Sequence, residues 1–163
     1  MIRHVARLAA ALTIAASAAS AAVAAPRKAA VFDFQFANLG ASPPTEADLG
    51  RLGRLTEQLR AALQDSGRYA PVPLAAVAQE AAKSDLRHCN GCAEDLARKA
   101  GAEVAITGEV QKVSNLILNI NVYVKDVDSA APERGYSVDI RGDTDESFER
   151  GLRYLIRNKL LAQ

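Results

Sequence analysis

Residues 103–127 form the longest strand-like run in the chain, and this run limits the possible folds more than any other segment. In its first part, Val104, Ile106 and Val110 alternate with polar residues, the period of two that marks a strand with one buried face. Residues 111–114 separate the two parts and are short enough for a hairpin loop. In the second part, the predicted inward face comprises Leu116, Leu118, Ile120, Val122 and Val124.

A third strand is predicted at residues 135–141, after a turn-rich link at residues 126–129. The three strands then form an antiparallel meander with one face toward solvent. That face is either a polar platform for a protein partner or a solvated surface whose polar side chains discourage aggregation beside a sheet edge. The candidate partner-binding residues on it are Asn115, Asn119, Asn121, Tyr123, Asp139 and Arg141.

The rest of the chain predicts an α/β (α+β) fold, in which helices pack on a mixed sheet of about five strands. Residues 28–34 are nearly continuously apolar, as in a central strand, and the prolines of residues 68–73 favour an edge strand. Helices are predicted at residues 74–83, 93–100 and 144–161, and Thr45 and Thr144 suit helix starts. A further amphipathic helix has the apolar stripe Leu49, Leu52, Leu55, Leu59 and Leu63.

The first 25 residues predict a signal peptide. Arg3 and Arg7 give a basic start, an apolar run follows, and small residues surround a predicted cleavage position near Ala24–Ala25. A membrane anchor is the alternative, but the apolar run is short and rich in alanine. We therefore expect a single mature domain over residues 26–163, exported to the periplasm without stable insertion in the membrane.

Composition argues against several function classes. Without Arg3 and Arg7 the chain carries 18 basic and 19 acidic residues, a net charge of −1, which gives no electrostatic attraction to nucleic acid or an anionic membrane. Tryptophan is absent and aromatic residues make up 5%, so platforms for stacking on bases or sugars are scarce. Apolar residues at 49% nonetheless suit a globular domain.

Cys89 and Cys92, the only cysteines, form a C-x-x-C motif. In an exported protein this pair predicts a structural disulfide. A redox-active pair is an alternative, because Cys92 precedes a predicted helix whose dipole would lower the thiol pKa. A metal site is a third, with His88 as the neighbouring ligand, although carboxylates would have to supply the remaining ligands.

Catalytic motifs are not evident elsewhere. The sequence contains no G-x-S-x-G, no phosphate-binding glycine loop and no H-E-x-x-H, and it has two histidines, His4 and His88. We therefore expect a non-enzymatic module that needs no metal or cofactor and binds a periplasmic or envelope protein. A thiol–disulfide protein using Cys89 and Cys92 and a small-ligand carrier are the alternative functions.

The order of elements and several phrases resemble the N-terminal α/β domain of TolB-like periplasmic proteins. These are VFDF, SGRYAPV, LARKAGAEVAITGEVQKV and LNINVYVKDVDS, which include an A-x-x-x-G-A-x-x-x-x-x-G strand entry. The C-x-x-C loop, QKVSNLILNINVYV and SVDIRGDTDESF are similar to a family of small exported proteobacterial proteins of unknown function. The resemblance implies an interaction or accessory module of the cell envelope.

Overall fold

A computed structural model describes residues 24–37 and 43–162. The strands are β1 (Arg27–Val31), β2 (Gln35–Phe36), β3 (Tyr69–Pro71), β4 (Val104–Lys112), β5 (Leu118–Asp126) and β6 (Arg134–Ile140). The helices are α1 (Glu46–Asp65), α2 (Ala78–Lys83), α3 (Cys92–Lys99) and α4 (Asp145–Leu155), and α4 continues into a π-helical turn, Ile156–Leu160.

All six strands belong to one mixed sheet, in the order β3-β1-β4-β5-β6, with the two-residue β2 paired to β4. The pairs β1–β3, β1–β4 and β2–β4 are parallel, whereas β4, β5 and β6 form the predicted antiparallel meander. The expected mixed sheet with packed helices is therefore confirmed. The short β2 is the addition to the expected five strands.

The two ends of the sheet differ in what they carry. β1 enters beside the start of β4, where Ala29 lies opposite Val104, whereas the β4–β5 hairpin closes at the other end, where Lys112 lies opposite Leu118. The nine residues of β4 span about 30 Å at the usual rise of about 3.3 Å per residue. The N-terminal end of the fold and the hairpin loop therefore lie on opposite sides of the domain.

The first core lies between one face of the sheet and the helices α1 and α4. The predicted stripe of α1 is buried from Leu52 onward, but Leu49 is 54% exposed, so its predicted burial is wrong. Leu49 lies in the first turn of α1, beside the end of the sheet that carries the hairpin loop. The helix predicted at residues 144–161 is present, and its buried apolar residues are Phe148, Leu152, Leu155, Ile156 and Leu160.

The start of α1 is fixed by a capping box. The Asp48 backbone N–H donates to Thr45 Oγ1 at 3.2 Å, and the Thr45 backbone N–H donates to Asp48 Oδ2 at 2.9 Å. The predicted role of Thr45 is confirmed, and the helix begins at Glu46 although Gly50 and Gly53 weaken its first turns.

Gly108 provides room for an aromatic ring in the middle of β4. A Cβ atom at this position would lie 2.5 Å from Cδ1 and Cε1 of Phe34. A glycine within a strand often marks a bulge or the close approach of another backbone. Here the close neighbour is the ring of Phe34. The backbone N–H of Phe34 donates to Thr56 Oγ1 of α1 at 3.0 Å.

A second core lies on the opposite face of the sheet, under α2, α3 and the connections around them. It buries Phe32 and Ala30 of the β1 region and Ala105 of β4. Because this layer covers part of the face predicted to be solvated, Thr107 and Glu109 of β4 are buried, and so is Asn121 of β5. The prediction of one fully solvated face is therefore wrong for β4 and for part of β5.

The predicted signal peptide falls largely outside the described residues, which begin at Ala24. Within residues 24–37 and 43–162, no helix has both the length and the apolar character needed to cross a membrane.

Candidate functional site

The predicted partner-binding residues do not form one continuous surface. Asn119, Asn121 and Tyr123 lie on β5, and Asp139 lies beside Asn119 on β6. The Asn119 amide donates to Asp139 Oδ1 at 2.7 Å, and Ser137 Oγ donates to Asn119 Oδ1 at 3.0 Å. These side chains therefore satisfy one another on the exposed part of the face.

The other predicted residues are placed differently. Asn121 is 7% exposed, so little of it is available to a partner. Asn115 lies in the loop before β5, since the β4–β5 register places Lys112 opposite Leu118 and leaves residues 113–117 as the turn. Arg141 follows the last residue of β6 and is exposed.

Arg87 contacts both Tyr123 on β5 and Glu133, which precedes β6. The sequence patterns did not indicate these contacts. The Arg87 guanidinium carbon lies 3.4 Å from the centre of the Tyr123 ring, and its two terminal nitrogens donate to Glu133 at 2.8 and 2.9 Å. Burial, together with the charge of Glu109, raises the pKa of Tyr123, so the phenol stays neutral. Three segments far apart in sequence meet at this side chain.

Cys89 and Cys92 are joined by a disulfide, as predicted. Asn90 and Gly91 between them adopt left-handed backbone conformations, with φ of 57° and 105°, and Gly91 is the N-cap of α3. Cys92 is the first residue of α3 and packs against the second core. The bond therefore fixes the turn that leads into α3, two residues after Arg87.

The apolar surface of the domain is concentrated at the hairpin tip, residues 113–117. Among the described residues, five large hydrophobic side chains are exposed: Val113 and Leu116 at 71%, Leu49 at 54%, Tyr154 at 52% and Ile117 at 50%. Three of them lie at the hairpin tip, and Leu49 lies close to the hairpin tip in the first turn of α1. Leu116 was expected on the inward face of β5, and this prediction is wrong because the turn extends to Ile117.

Ser114 organises the hairpin tip. Its hydroxyl accepts the backbone N–H groups of Leu116 and Ile117, each at 3.2 Å, and the Ile117 carbonyl accepts from Val113 at 3.1 Å and from Ser114 at 3.2 Å. A serine side chain that bonds backbone groups two and three residues ahead competes with strand pairing. This local bonding accounts for the longer turn, and it orders the backbone that carries the apolar side chains.

Beside the hairpin tip lies a groove of about 670 Å³, here called the tip groove. The start of α1 forms one wall with Leu49 and Leu52, and the hairpin tip forms another with Val113. The remaining apolar lining comprises Phe34, Phe36, Ala37, Pro43 and Pro44.

Charged side chains at the base of the tip groove neutralise one another. Lys112 Nζ lies 2.6 Å from Asp143 Oδ2 and 3.2 Å from Asp48 Oδ1, and Arg51 contacts both carboxylates. Burial favours the neutral acid, but hydrogen bonds from Thr45 and Lys112 outweigh it and hold the pKa of Asp48 below its ordinary value. This network ties α1, β4 and the β6–α4 connection together at the end of the sheet.

Several solved bacterial structures share this fold, although identity to each is low. The LpoB C-terminal domain from Salmonella enterica is 18% identical, with a TM-score of 0.51, over 75% of this chain and 87% of that chain. The PelC dodecamer from Paraburkholderia phytofirmans is 15% identical, with a TM-score of 0.50, over 86% and 89%. Lipoprotein GNA1162 from Neisseria meningitidis is 17% identical, with a TM-score of 0.50, over 85% and 100%. These likenesses establish a common fold.

A comparison with curated proteins gives no significant match. The expected likeness to the TolB N-terminal domain stays a prediction. A family model, in contrast, matches residues 27–160, from the first strand to the end of the π-helical turn. Because the match covers every strand and helix described above, the chain belongs to the family DUF3280, whose description is "Protein of unknown function (DUF2380)".

Proposed function

We propose that this chain is a non-enzymatic accessory module of the bacterial cell envelope that binds a protein through its hairpin tip and tip groove. The observation that carries the proposal is the concentration of exposed apolar side chains there, four of the five among the described residues. Exposed apolar patches of this kind mark interaction sites on soluble proteins.

The energy available at this surface fits a protein interface. Full burial of a Val, Leu or Ile side chain contributes about 1.5–3 kcal/mol, so covering the exposed parts of the four contributes about 3–8 kcal/mol. Because Ser114 already orders the turn, little conformational entropy is lost when a partner binds. A rigid apolar turn is therefore an efficient anchor.

The envelope location is supported by the predicted signal peptide and by the disulfide, which is typical of an oxidising compartment. One protein with the same fold, GNA1162, is a lipoprotein by name and gives the same indication. PelC is described as a dodecamer, so this fold is used in contacts between chains in that protein.

The polar face of β5 and β6 has a lesser role in this proposal. Asn119 and Asp139 bond to each other and Asn121 is covered, so a partner gains little by replacing these bonds. They would form a polar rim at most. We expect that Asn119→Ala changes partner binding much less than a charge at the hairpin tip.

Capture from envelope extracts tests the proposal. The full-length chain is expressed with a C-terminal tag, as wild type, as Leu116→Asp and as the control Tyr154→Asp, which introduces the same charge at an exposed apolar position on α4. We expect both the wild type and the control to retain a specific protein that Leu116→Asp loses. An unchanged set of captured proteins with folded Leu116→Asp would refute the role of the hairpin tip.

A thiol–disulfide function is the second candidate, because Cys92 stands at the start of α3, where the helix dipole stabilises a thiolate. Activity in a thiol–disulfide exchange assay that requires both cysteines would favour it over the binding function.

A further inference from the structure

We propose that the outer edge of β6, here called the β6 edge, accepts an extended acidic segment of another protein as an added strand of the sheet. β6 is the last strand in the order β3-β1-β4-β5-β6, so one of its two sides has no neighbouring strand among the described residues. The β6 edge is separate from the hairpin tip and the tip groove. The inference therefore goes beyond the proposed function, and it is carried by backbone groups that point outward and by the cations beside them.

The register of the meander fixes which backbone groups of β6 point outward. In an antiparallel pair, every second pair of opposed residues exchanges backbone hydrogen bonds. The Val127 N–H donates to the Glu103 carbonyl at 3.0 Å, so the odd-numbered residues of β5 bond to β4. The even-numbered residues of β5 then bond to even-numbered residues of β6, as in Ile120 opposite Val138. The odd-numbered residues of β6 therefore direct their N–H and C=O groups away from the sheet.

Three residues of β6 present these outward groups: Gly135, Ser137 and Asp139. All three are exposed, and within residues 24–37 and 43–162 their N–H groups have no acceptor. The Ser137 carbonyl accepts from Lys159 Nζ at 2.6 Å, as an outward direction requires. Such donors and acceptors repeat every two residues, about 6.8 Å at about 3.4 Å per residue, which is the repeat of any extended backbone. The matching ligand is therefore a strand added to the edge.

The opposite edge of the sheet is a poor alternative for strand addition. β3 has three residues and includes Pro71, which has no N–H to donate. β6 has seven residues, and none of them is proline. The β6 edge is thus the longer and better equipped of the two.

Three cations lie along the β6 edge. Arg134 begins the strand, Arg141 directly follows it, and Lys159 of the π-helical turn reaches its middle. In the part of the chain that the structure describes, none of the three forms a salt bridge. These positive charges are therefore available to an incoming carboxylate.

The acidic side chains of this region are bonded toward the rest of the sheet. Asp139 Oδ1 accepts from the Asn119 amide of β5 at 2.7 Å. The Glu133 carboxylate accepts both terminal nitrogens of Arg87. An acidic segment therefore meets cations at the β6 edge, whereas a basic segment is repelled there.

A second copy of this chain is a weaker match for the same edge. Two β6 strands paired around Ser137 would bring Lys159 of both copies to the centre, and these like charges oppose the pairing. A lysine beside an edge strand is a usual protection against such contacts. Lys159 is exposed on a flexible side chain, so it can turn from the Ser137 carbonyl to a carboxylate of an acidic segment. The carbonyl is then free to accept from the added strand.

Fluorescence anisotropy with labelled peptides and the purified full-length chain tests this inference. The probe matches the seven residues of β6 in length and alternates glutamate with valine. One control peptide has lysine in place of glutamate, and the other keeps glutamate but is methylated at every backbone nitrogen, which removes its N–H donors. We expect saturable binding of the acidic peptide and at least about tenfold weaker binding of both controls.

Equal binding of the methylated peptide would overturn strand addition, and equal binding of the lysine peptide would overturn the choice of an acidic partner. No binding of the acidic peptide up to about 1 mM would overturn the inference as a whole.

Variants of the chain locate the peptide on the β6 edge. Ser137→Pro removes one outward N–H and leaves the bonds between β5 and β6 in place. Lys159→Glu reverses the charge at the middle of the edge. Each should weaken binding of the acidic peptide at least about tenfold, whereas Lys83→Glu, at an exposed lysine on α2, should change it less than about twofold. Circular dichroism checks the fold of each variant, and folded Ser137→Pro or Lys159→Glu with wild-type binding would contradict the proposal.

Two further outcomes separate this inference from its alternatives. Self-association of the chain that Ser137→Pro abolishes would place a second copy on the β6 edge and overturn the acidic partner. Leu116→Asp should bind the peptide as tightly as the wild type, because the hairpin tip is not part of this surface. Failure of peptide binding would accordingly leave the proposed function of the hairpin tip standing.

Discussion

Replacing Gly108 with alanine introduces a methyl group where the Phe34 ring already lies. The added Cβ would be 2.5 Å from two ring carbons and 2.6 Å from a third, closer than any non-bonded carbon–carbon contact allows. Phe34 is 3% exposed and its backbone is bonded to Thr56, so the ring can give way only toward the tip groove that it lines. Overpacking of this kind costs about 1–3 kcal/mol, offset by the roughly 0.5–1 kcal/mol that alanine gains over glycine in a strand. Because the clash involves three ring carbons, we expect a cost in the upper part of this range and a net loss of about 1–2.5 kcal/mol in the free energy of unfolding.

Urea denaturation of Gly108→Ala beside Gly53→Ala measures this effect against a matched control. Gly53 is exposed on α1, and a Cβ added there would have nothing within 4 Å, so alanine at this position should stabilise by about 0.5–1 kcal/mol. Adding Phe34→Leu to Gly108→Ala should give a smaller loss than the sum of the two single changes, because removal of the ring makes room. A Gly108→Ala protein as stable as the wild type would refute the reasoning.

Two further predictions concern the charge network and the disulfide. The pKa of Asp48 is held below its ordinary value of 3.8, so its contribution to stability is present above that pH and is lost as the pH falls through the lower folded-state pKa. Asp48→Asn should therefore lose less stability than the wild type between about pH 4 and pH 2, as measured by urea denaturation at each pH. The same loss of stability with acid in both proteins would contradict this. Replacing Cys89 and Cys92 with serine should cost about 1–2 kcal/mol of stability, since the closed loop is short, and should leave partner capture intact. Loss of capture with the fold retained would favour the thiol–disulfide function.

Local signals predicted the parts of the fold that local chemistry controls. Thr45 caps α1 as expected, through a capping box with Asp48, and Thr144 caps α4 by accepting the Ser147 N–H. The alternation of residues 118–124 placed Leu118 and its neighbours correctly in the core. These features depend on residues within four positions of one another, so a single sequence reveals them.

The candidate site could not be predicted in the same way, because it depends on where elements end relative to one another. Periodicity assigned Leu49 and Leu116 to buried faces, but it does not show that both positions lie beyond the end of the sheet. Likewise, Arg87 meets Tyr123 and Glu133 across 36 and 46 residues. No sequence period connects such positions. The burial of Asn121 likewise depends on the layer of α2, α3 and their connections, which covers part of this face of the sheet.

The distance between the two ends of the sheet determines how the domain is oriented when it is attached through its N-terminus. An attachment ahead of Arg27 is joined to the domain at the end of the sheet where β1 begins. This holds for a tether in the cell and for a tag on a sensor surface. The hairpin tip then projects from the far side, at a distance set by the length of β4, about 30 Å at about 3.3 Å per residue. Immobilisation through the N-terminus would accordingly leave Leu116 accessible to molecules arriving from solution.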